Sequence, residues 1–186
     1  GLYRVVIGTY TDDGGSVHKL LNGLYALLIN NGEVNVKQFG AKGDGITDDT
    51  NSIQKAIDYA FINYWNVFVP KGSYLINPSL QPDNTYVALI IDGKQTSSST
   101  IVAKGIFVRG EPGTVMLTQY SLNPSIMIRF RESYGGIENI EFNGVSKSTT
   151  GIEMSRILHN TDGIFQRSDE SCYNKFSNLI FHSHLN

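Results

Sequence analysis

Two segments of the chain repeat one another. Ile137-Glu138-Asn139-Ile140-Glu141-Phe142 and Phe176-Ser177-Asn178-Leu179-Ile180-Phe181 both read apolar-x-Asn-apolar-x-Phe, and they lie 39 residues apart. Ile106-Phe107-Val108-Arg109-Gly110 is a weaker cousin, 31 residues before the first. Imperfect repeats spaced by roughly 20–50 residues point to a solenoid, in which each coil exposes apolar edges that only the next coil covers. Equivalent positions then stack about 4.8 Å apart, which places Asn139 and Asn178 to join an amide ladder. Periodicity alone also admits an ordinary β-sandwich.

The surrounding composition suits a mainly β chain. Of 186 residues, 19 are glycine and 10 tyrosine, while only 17% are charged. Short strand-like runs at Val87–Ile91, Thr100–Ala103, Ile106–Arg109, Thr114–Leu117 and Ile126–Arg131 are separated by Gly, Pro, Ser and Asn. That punctuation marks turns between strands.

At the N-terminus a β-prone run, Leu2 to Tyr10, is closed by Asp12, Asp13 and two glycines. Ser16 then stands where a helix N-cap would stand. Val17, Leu20, Leu24 and Leu27 fall at a and d positions, with Leu21 and Leu28 beside them at e. This spacing predicts a short amphipathic helix that Asn30-Asn31-Gly32 ends. So short a helix must bury its stripe, either within its own domain or in a three-helix cluster on a trimer axis.

Residues 34–76 carry the densest signal. Val34 to Phe39 alternates like a strand, and Gly40 to Gly45 is turn chemistry. Thr47 is expected to cap a helix with Asp48 and Asp49 in its first turn. Ile53, Ala56, Ile57, Ala60 and Phe61 form its apolar face. Trp65-Asn66 breaks it. Val67-Phe68-Val69, a Pro70-Lys71-Gly72-Ser73 turn and Tyr74-Leu75-Ile76 follow.

The run Phe39 to Thr50, followed by Ile53-Gln54-Lys55-Ala56-Ile57 and Val67 to Leu75, closely resembles the opening segment of the pectate-lyase-like β-helix superfamily. The resemblance implies a right-handed parallel β-helix, a single-stranded solenoid, with an N-terminal capping helix. Gly43, Asp44, Gly45, Thr47, Asp48, Asp49, Pro70 and Gly72 then form the structural capping motif, its aspartates being turn and cap carboxylates rather than metal ligands. Residues 1–32 are expected to be a particle-binding or neck segment. Residues 33–186 are expected to be the capping helix and first coils of a β-helix cut short at its C-terminus. The short β piece and helical neck ahead of the motif, with no secretion signal, resemble phage tailspikes and pre-neck appendages. That implies a virion component, located on a phage tail or appendage outside the cell. Its expected partners are two further copies in a homotrimer, other tail, neck or portal proteins, and a host-surface glycan reached by downstream regions. The alternative is a fragment of a secreted lyase or polygalacturonase-like glycosidase; a non-phage adhesin shares the same fold.

Net charge near −2, from 15 basic and 17 acidic residues, gives no electrostatic support for nucleic-acid binding. No apolar run approaches the ~18 residues of a membrane helix. Cys172 is the only cysteine, which excludes an intrachain disulfide and a thiolate zinc site. No cofactor or metal is expected. Glycoside cleavage needs two carboxyls ~5–5.5 Å or ~6.5–9.5 Å apart. Asn160-Thr161-Asp162-Gly163 resembles an element of polygalacturonase-like glycosidases whose Asp is a catalytic acid. That makes Asp162 the one catalytic candidate, although the rest of that pattern is missing and the four residues are good turn chemistry. Glu138 and Glu141, three apart in a strand, are expected on opposite faces. Arg129 and Arg131 share a face and suit surface or intersubunit roles. His159, His182 and His184 lack an evident third metal ligand. The segment itself is thus expected to be non-catalytic, whatever the longer protein does.

Overall fold

The computed structural model describes residues 2–29, 32–92, 105–119, 125–131, 134–144, 149–155 and 174–183. It is mainly β, with one α-helix among the described residues. The predicted strand at Thr100–Ala103 lies outside them.

The N-terminal segment is a small antiparallel sheet of β1 (Leu2–Val6), β2 (Val17–Lys19) and β3 (Tyr25–Ile29), ordered β1-β3-β2. The helix expected over residues 17–28 is therefore a hairpin. Asn22-Gly23 decides it. Gly23 sits at φ +78° and its N–H donates to the Leu20 carbonyl. Asn22 Oδ1 accepts the Leu24 N–H. An Asn-Gly pair between apolar residues is a strong hairpin signal, whereas glycine inside a helix costs about 1 kcal/mol. Val17 pairs with Leu27 across the hairpin, Leu20 and Leu24 close its turn, and Leu21 is fully exposed at the tip. These side chains form no helical stripe. Ser16 is no helix cap either: its hydroxyl donates to Asp13 and its carbonyl accepts the Leu28 N–H.

From Glu33 onward the strands pair in parallel, with long crossovers. One ladder stacks β4 (Glu33–Asn35), β6 (Asn66–Val69), the first half of β10 (Gly105–Leu117), the first half of β12 (Tyr134–Gly144) and β14 (Asn174–Ser177). A second stacks β5 (Asp44–Asp48), β7 (Gly72–Leu75), the second halves of β10 and β12, and β15 (Ile180–Ser183). A third holds β9 (Tyr86–Asp92), β11 (Ser125–Arg131) and β13 (Thr149–Ser155), edged by antiparallel β8 (Ser79–Leu80). Each circuit of the chain through the three ladders is one coil.

Registered stacking builds the core. Val34, Val67, Val108, Ile137 and Phe176 form one column through successive coils, and Tyr74, Met116, Phe142 and Phe181 another. Leu89, Ile128 and Ile152 form a third. Burying a side chain of this size stabilises by about 1.5–3 kcal/mol. The Phe142 and Phe181 rings stack nearly parallel, with centroids 5.3 Å apart.

The 39-residue repeat matches the observed register, Ile137 opposite Phe176 and Glu141 opposite Ile180. Between the two halves of the repeat, Asn139 and Asn178 both take left-handed conformations, φ 58° and 52°. Asn178 Nδ2 donates to Asn139 Oδ1 at 2.9 Å, the expected amide ladder. The Ile106 alignment does not hold: Ile137 lies opposite Val108, and Ile106 opposite Gly135. The previous coil turns this corner through Gly110 to Gly113, so its register slips between Arg109 and Thr114.

The single helix, α1 (Thr50–Asn63), buries Ile53, Ala56, Ile57 and Ala60 against the first coil, with Phe61 half-buried. Its N-cap position is Asp49, and the Asp49 carbonyl accepts the first intrahelical bond from Ile53. Thr47 lies in β5, two residues too early to cap it, and neither Asp48 nor Asp49 belongs to the first turn. Tyr64, at φ 58°, ends the helix.

Replacing Asn139 with alanine removes the ladder bond and the short polar side chain that makes a left-handed backbone tolerable there. Asn139→Ala is expected to cost about 2 kcal/mol. Asn139→Gly should recover the backbone part of that loss, with both variants measured by urea denaturation.

Candidate functional site

The loop between Ala41 and Thr50 is organised by three carboxylates that point different ways. Asp49 is fully buried and accepts the backbone N–H groups of Lys42 (2.7 Å) and Gly43 (2.9 Å). Its own N–H donates to the Leu75 carbonyl, which ties the loop to β7. Asp44 is exposed and accepts from the N–H groups of Ile46 and Thr47 and from the Thr47 hydroxyl. Those bonds, the Thr47 backbone first, lower its pKa to about 2. Asp48 accepts from the Thr50 N–H and hydroxyl and from Asn77 Nδ2. Asp48 titrates below its ordinary value: burial raises it, but the bonds from Thr50 and Asn77 outweigh that. All three carboxylates thus spend their lone pairs on the chain's own donors.

Close approach explains the glycines. A β-carbon on Gly72 would lie 2.9 Å from the Gly43 carbonyl oxygen, and one on Gly43 would lie 2.8 Å from the Tyr74 ring. Tyr74 is fully buried, its hydroxyl donates to the Pro70 carbonyl, and burial pushes its pKa up to about 12. Sequence reasoning missed Thr50 and Asn77. The Thr50 hydroxyl is also the acceptor for the Asn77 N–H, 27 residues on, a partner that no local spacing announces.

The outward face of the first ladder carries the charged side chains. Arg109 forks onto both oxygens of Glu33, at 2.8 and 3.0 Å, and lies 5.0 Å above the centroid of Phe68. Arg109 titrates above its ordinary value, chiefly through the Glu33 bond. Glu111 accepts the Lys71 N–H. Glu138 and Glu141, expected on opposite faces, are both half-exposed, flanked by buried Ile137, Ile140 and Phe142. The left-handed Asn139 between them resets the alternation. His182, from the next coil, meets Glu141 at 3.2 Å. The result is a polar strip crossing several coils.

Arg129 corrects another expectation. It is 2% exposed, with Nη1 2.7 Å from Asp83, so it is an interior residue rather than a surface one. Asp83 titrates below its ordinary value through the Thr85 hydroxyl bond and Arg129. Asp162, His159, His184, Cys172 and the Arg131 side chain lie outside the described residues. Among the described residues no group of three or more His, Cys, Asp or Glu could hold a metal ion.

Asp49→Ala leaves the Lys42 and Gly43 N–H groups without their charged acceptor and is expected to cost about 3 kcal/mol in urea denaturation. Asp44 should report on pH. Its folded pKa lies below the ordinary 3.8, so its contribution is complete above that value and is lost as pH falls toward about 2. The gap in melting temperature between the native chain and Asp44→Asn is therefore expected to close over that interval.

The family described as rhamnogalacturonase A/epimerase, pectate lyase-like, matches residues 33–163. Similar proteins come from phages and from bacteria. A depolymerase of Klebsiella phage KN3-1, described as capsule KN3-specific, is 32% identical over 142 residues, covering 68% of this chain and 18% of that protein. Mannuronan C5-epimerase AlgE1 of Azotobacter vinelandii is 33% identical over 134 residues, covering 72% of this chain and 9% of the epimerase. The pre-neck appendage protein of Bacillus phage phi29 is 43% identical over 53 residues, covering 28% and 6% respectively. Among solved structures, a Geobacillus virus E2 protein described as ORF18 superposes with a TM-score of 0.53 at 19% identity, covering 94% of this chain and 34% of that one. The chain thus spans less than a fifth of the length of these three sequence relatives. With the match reaching from the start of the parallel ladders across most of the chain, this protein belongs to the rhamnogalacturonase A/epimerase, pectate lyase-like family.

Proposed function

We propose that this chain is the N-terminal part of a bacteriophage tailspike or appendage protein that attaches the particle to a host cell surface. Its parallel ladders are the first coils of a right-handed β-helix, and α1 closes the N-terminal end of that helix. The observation that carries this reading is the similarity to a phage depolymerase over 68% of the chain. A shorter match to a phage appendage protein, at higher identity, supports it. The antiparallel sheet of residues 2–29 is the particle-proximal piece. The protein works as a homotrimer, contacts other tail, neck or portal proteins, and reaches a surface glycan through regions beyond Asn186. The helical stripe that first suggested a threefold axis is absent, so the trimer rests on the phage likeness alone. No helix among the described residues is long and apolar enough to cross a membrane.

A second reading is favoured by the epimerase relative: a secreted enzyme that modifies a polysaccharide, with this chain as its opening coils. Stacked coils suit either role, because they align outward side chains along an extended polymer. The test is the full-length protein. Light scattering should return three copies per particle, and antibodies to residues 1–32 should decorate phage particles in electron micrographs. A monomer that epimerises or cleaves alginate and labels no particle overturns the appendage reading in favour of the second.

A further inference from the structure

Parallel sheets end in rows of unpaired backbone groups, and an exposed edge is a template for another chain. At the first coil, side-chain amides occupy two positions of this edge, one of them, Gln38 on Asn35, as part of the cap of the turn at residues 36–39. Asn66 N–H donates to the Gly32 carbonyl, which turns residues 32 and 34 of the first strand toward its neighbour and leaves Asn35 facing away. The Asn35 N–H is taken by Gln38 Oε1 at 2.9 Å. In the third ladder, β8 covers Tyr86 and Val87 at the outer edge of β9. Farther along that edge, Ile90 is met by Gln54: its N–H donates to Gln54 Oε1 and its carbonyl accepts from Gln54 Nε2, both at 2.9 Å. Asp58, one helical turn on, accepts from the same Nε2 at 2.8 Å and fixes the amide plane.

A carboxamide presents one acceptor and one donor side by side, as a strand's peptide group does. We propose that Gln54, aided by Gln38, is a strand surrogate that closes the first coil against a second copy of this chain. Glutamine is the side chain suited to Ile90. Ionised glutamate could accept its N–H but would face its carbonyl, and the Asp58 carboxylate, with negative charge. The role belongs to the described edge and holds whether the longer protein is an appendage or an enzyme.

The test compares the native chain with Gln54→Ala, Gln38→Ala/Gln54→Ala and Gln54→Glu. Removing the surrogate should speed hydrogen exchange at the Ile90 amide by about ten- to a hundredfold. It should also make the weight-average mass climb with protein concentration in sedimentation equilibrium. For Gln54→Glu, lowering the pH until the carboxyl protonates restores a donor, and the mass should fall back toward the native value. Ile53→Ala serves as the control for general loss of stability: it weakens α1 while leaving the amide in place, and should melt earlier without associating. A double variant whose mass matches the native chain at every concentration overturns the proposal. So does association of Ile53→Ala to the same extent.

Discussion

Parallel register between coils is the constraint on which the rest of this structure depends. A coil of this kind has no core of its own. Val108 or Ile137 is buried because the column above and below it is apolar at the same height. Sliding one strand by a single residue would turn Ile137 outward and Glu138 inward. Register is held at the corner between the first two ladders, where Asn139 and Asn178 adopt the same left-handed conformation and share an amide hydrogen bond. The corner also ends the simple alternation of the strand. That is why Glu138 and Glu141 emerge on the same outward surface, and why His182 of the next coil can reach Glu141.

The opening of the ladder meets a different problem. Its first coil has a neighbour on one side only, so backbone groups that would pair with a preceding coil need other partners. In the opening loop Asp49 supplies an acceptor for the Lys42 and Gly43 N–H groups from a fully buried position, at the cost of desolvating a carboxylate. Asp44 and Asp48 stay nearer water and satisfy local turns, which is reflected in their lowered pKa values. The apolar face of α1 covers the core, while Gln54 attends to the edge. One amphipathic helix thus serves both the packing and the hydrogen-bond accounting of the first coil.

Several elements were legible from local pattern because their causes are local. The face of α1 follows from residues spaced three and four apart, and all four of its buried side chains were readable from that spacing. The Asn ladder followed from a repeat that preserves residue type. The N-terminal hairpin was misread because leucines at helical spacing also suit the two sides of a tight turn. The Asn22-Gly23 turn signal outweighed them once β1 was available to pair with β3. Arg129 was misplaced for a related reason: an arginine in a strand reads as a surface residue until an acidic partner 46 positions earlier is brought against it.

The sequence by itself determined the family, the repeat and the chemistry of the turns, since these depend on residue types at short fixed spacings. Tertiary structure decided which carboxylate faces inward, which glutamine meets a strand edge and which glutamates share a surface. Asp48 and Asp49 are chemically identical neighbours, and nothing local distinguishes them. One is buried because its oxygens meet the Lys42 and Gly43 amides beside β7, and the other stays near water beside Asn77. Leu75, which accepts the Asp49 N–H, and Asn77, which donates to Asp48, come from the far side of the first coil, so the distinction is completed only when that coil closes.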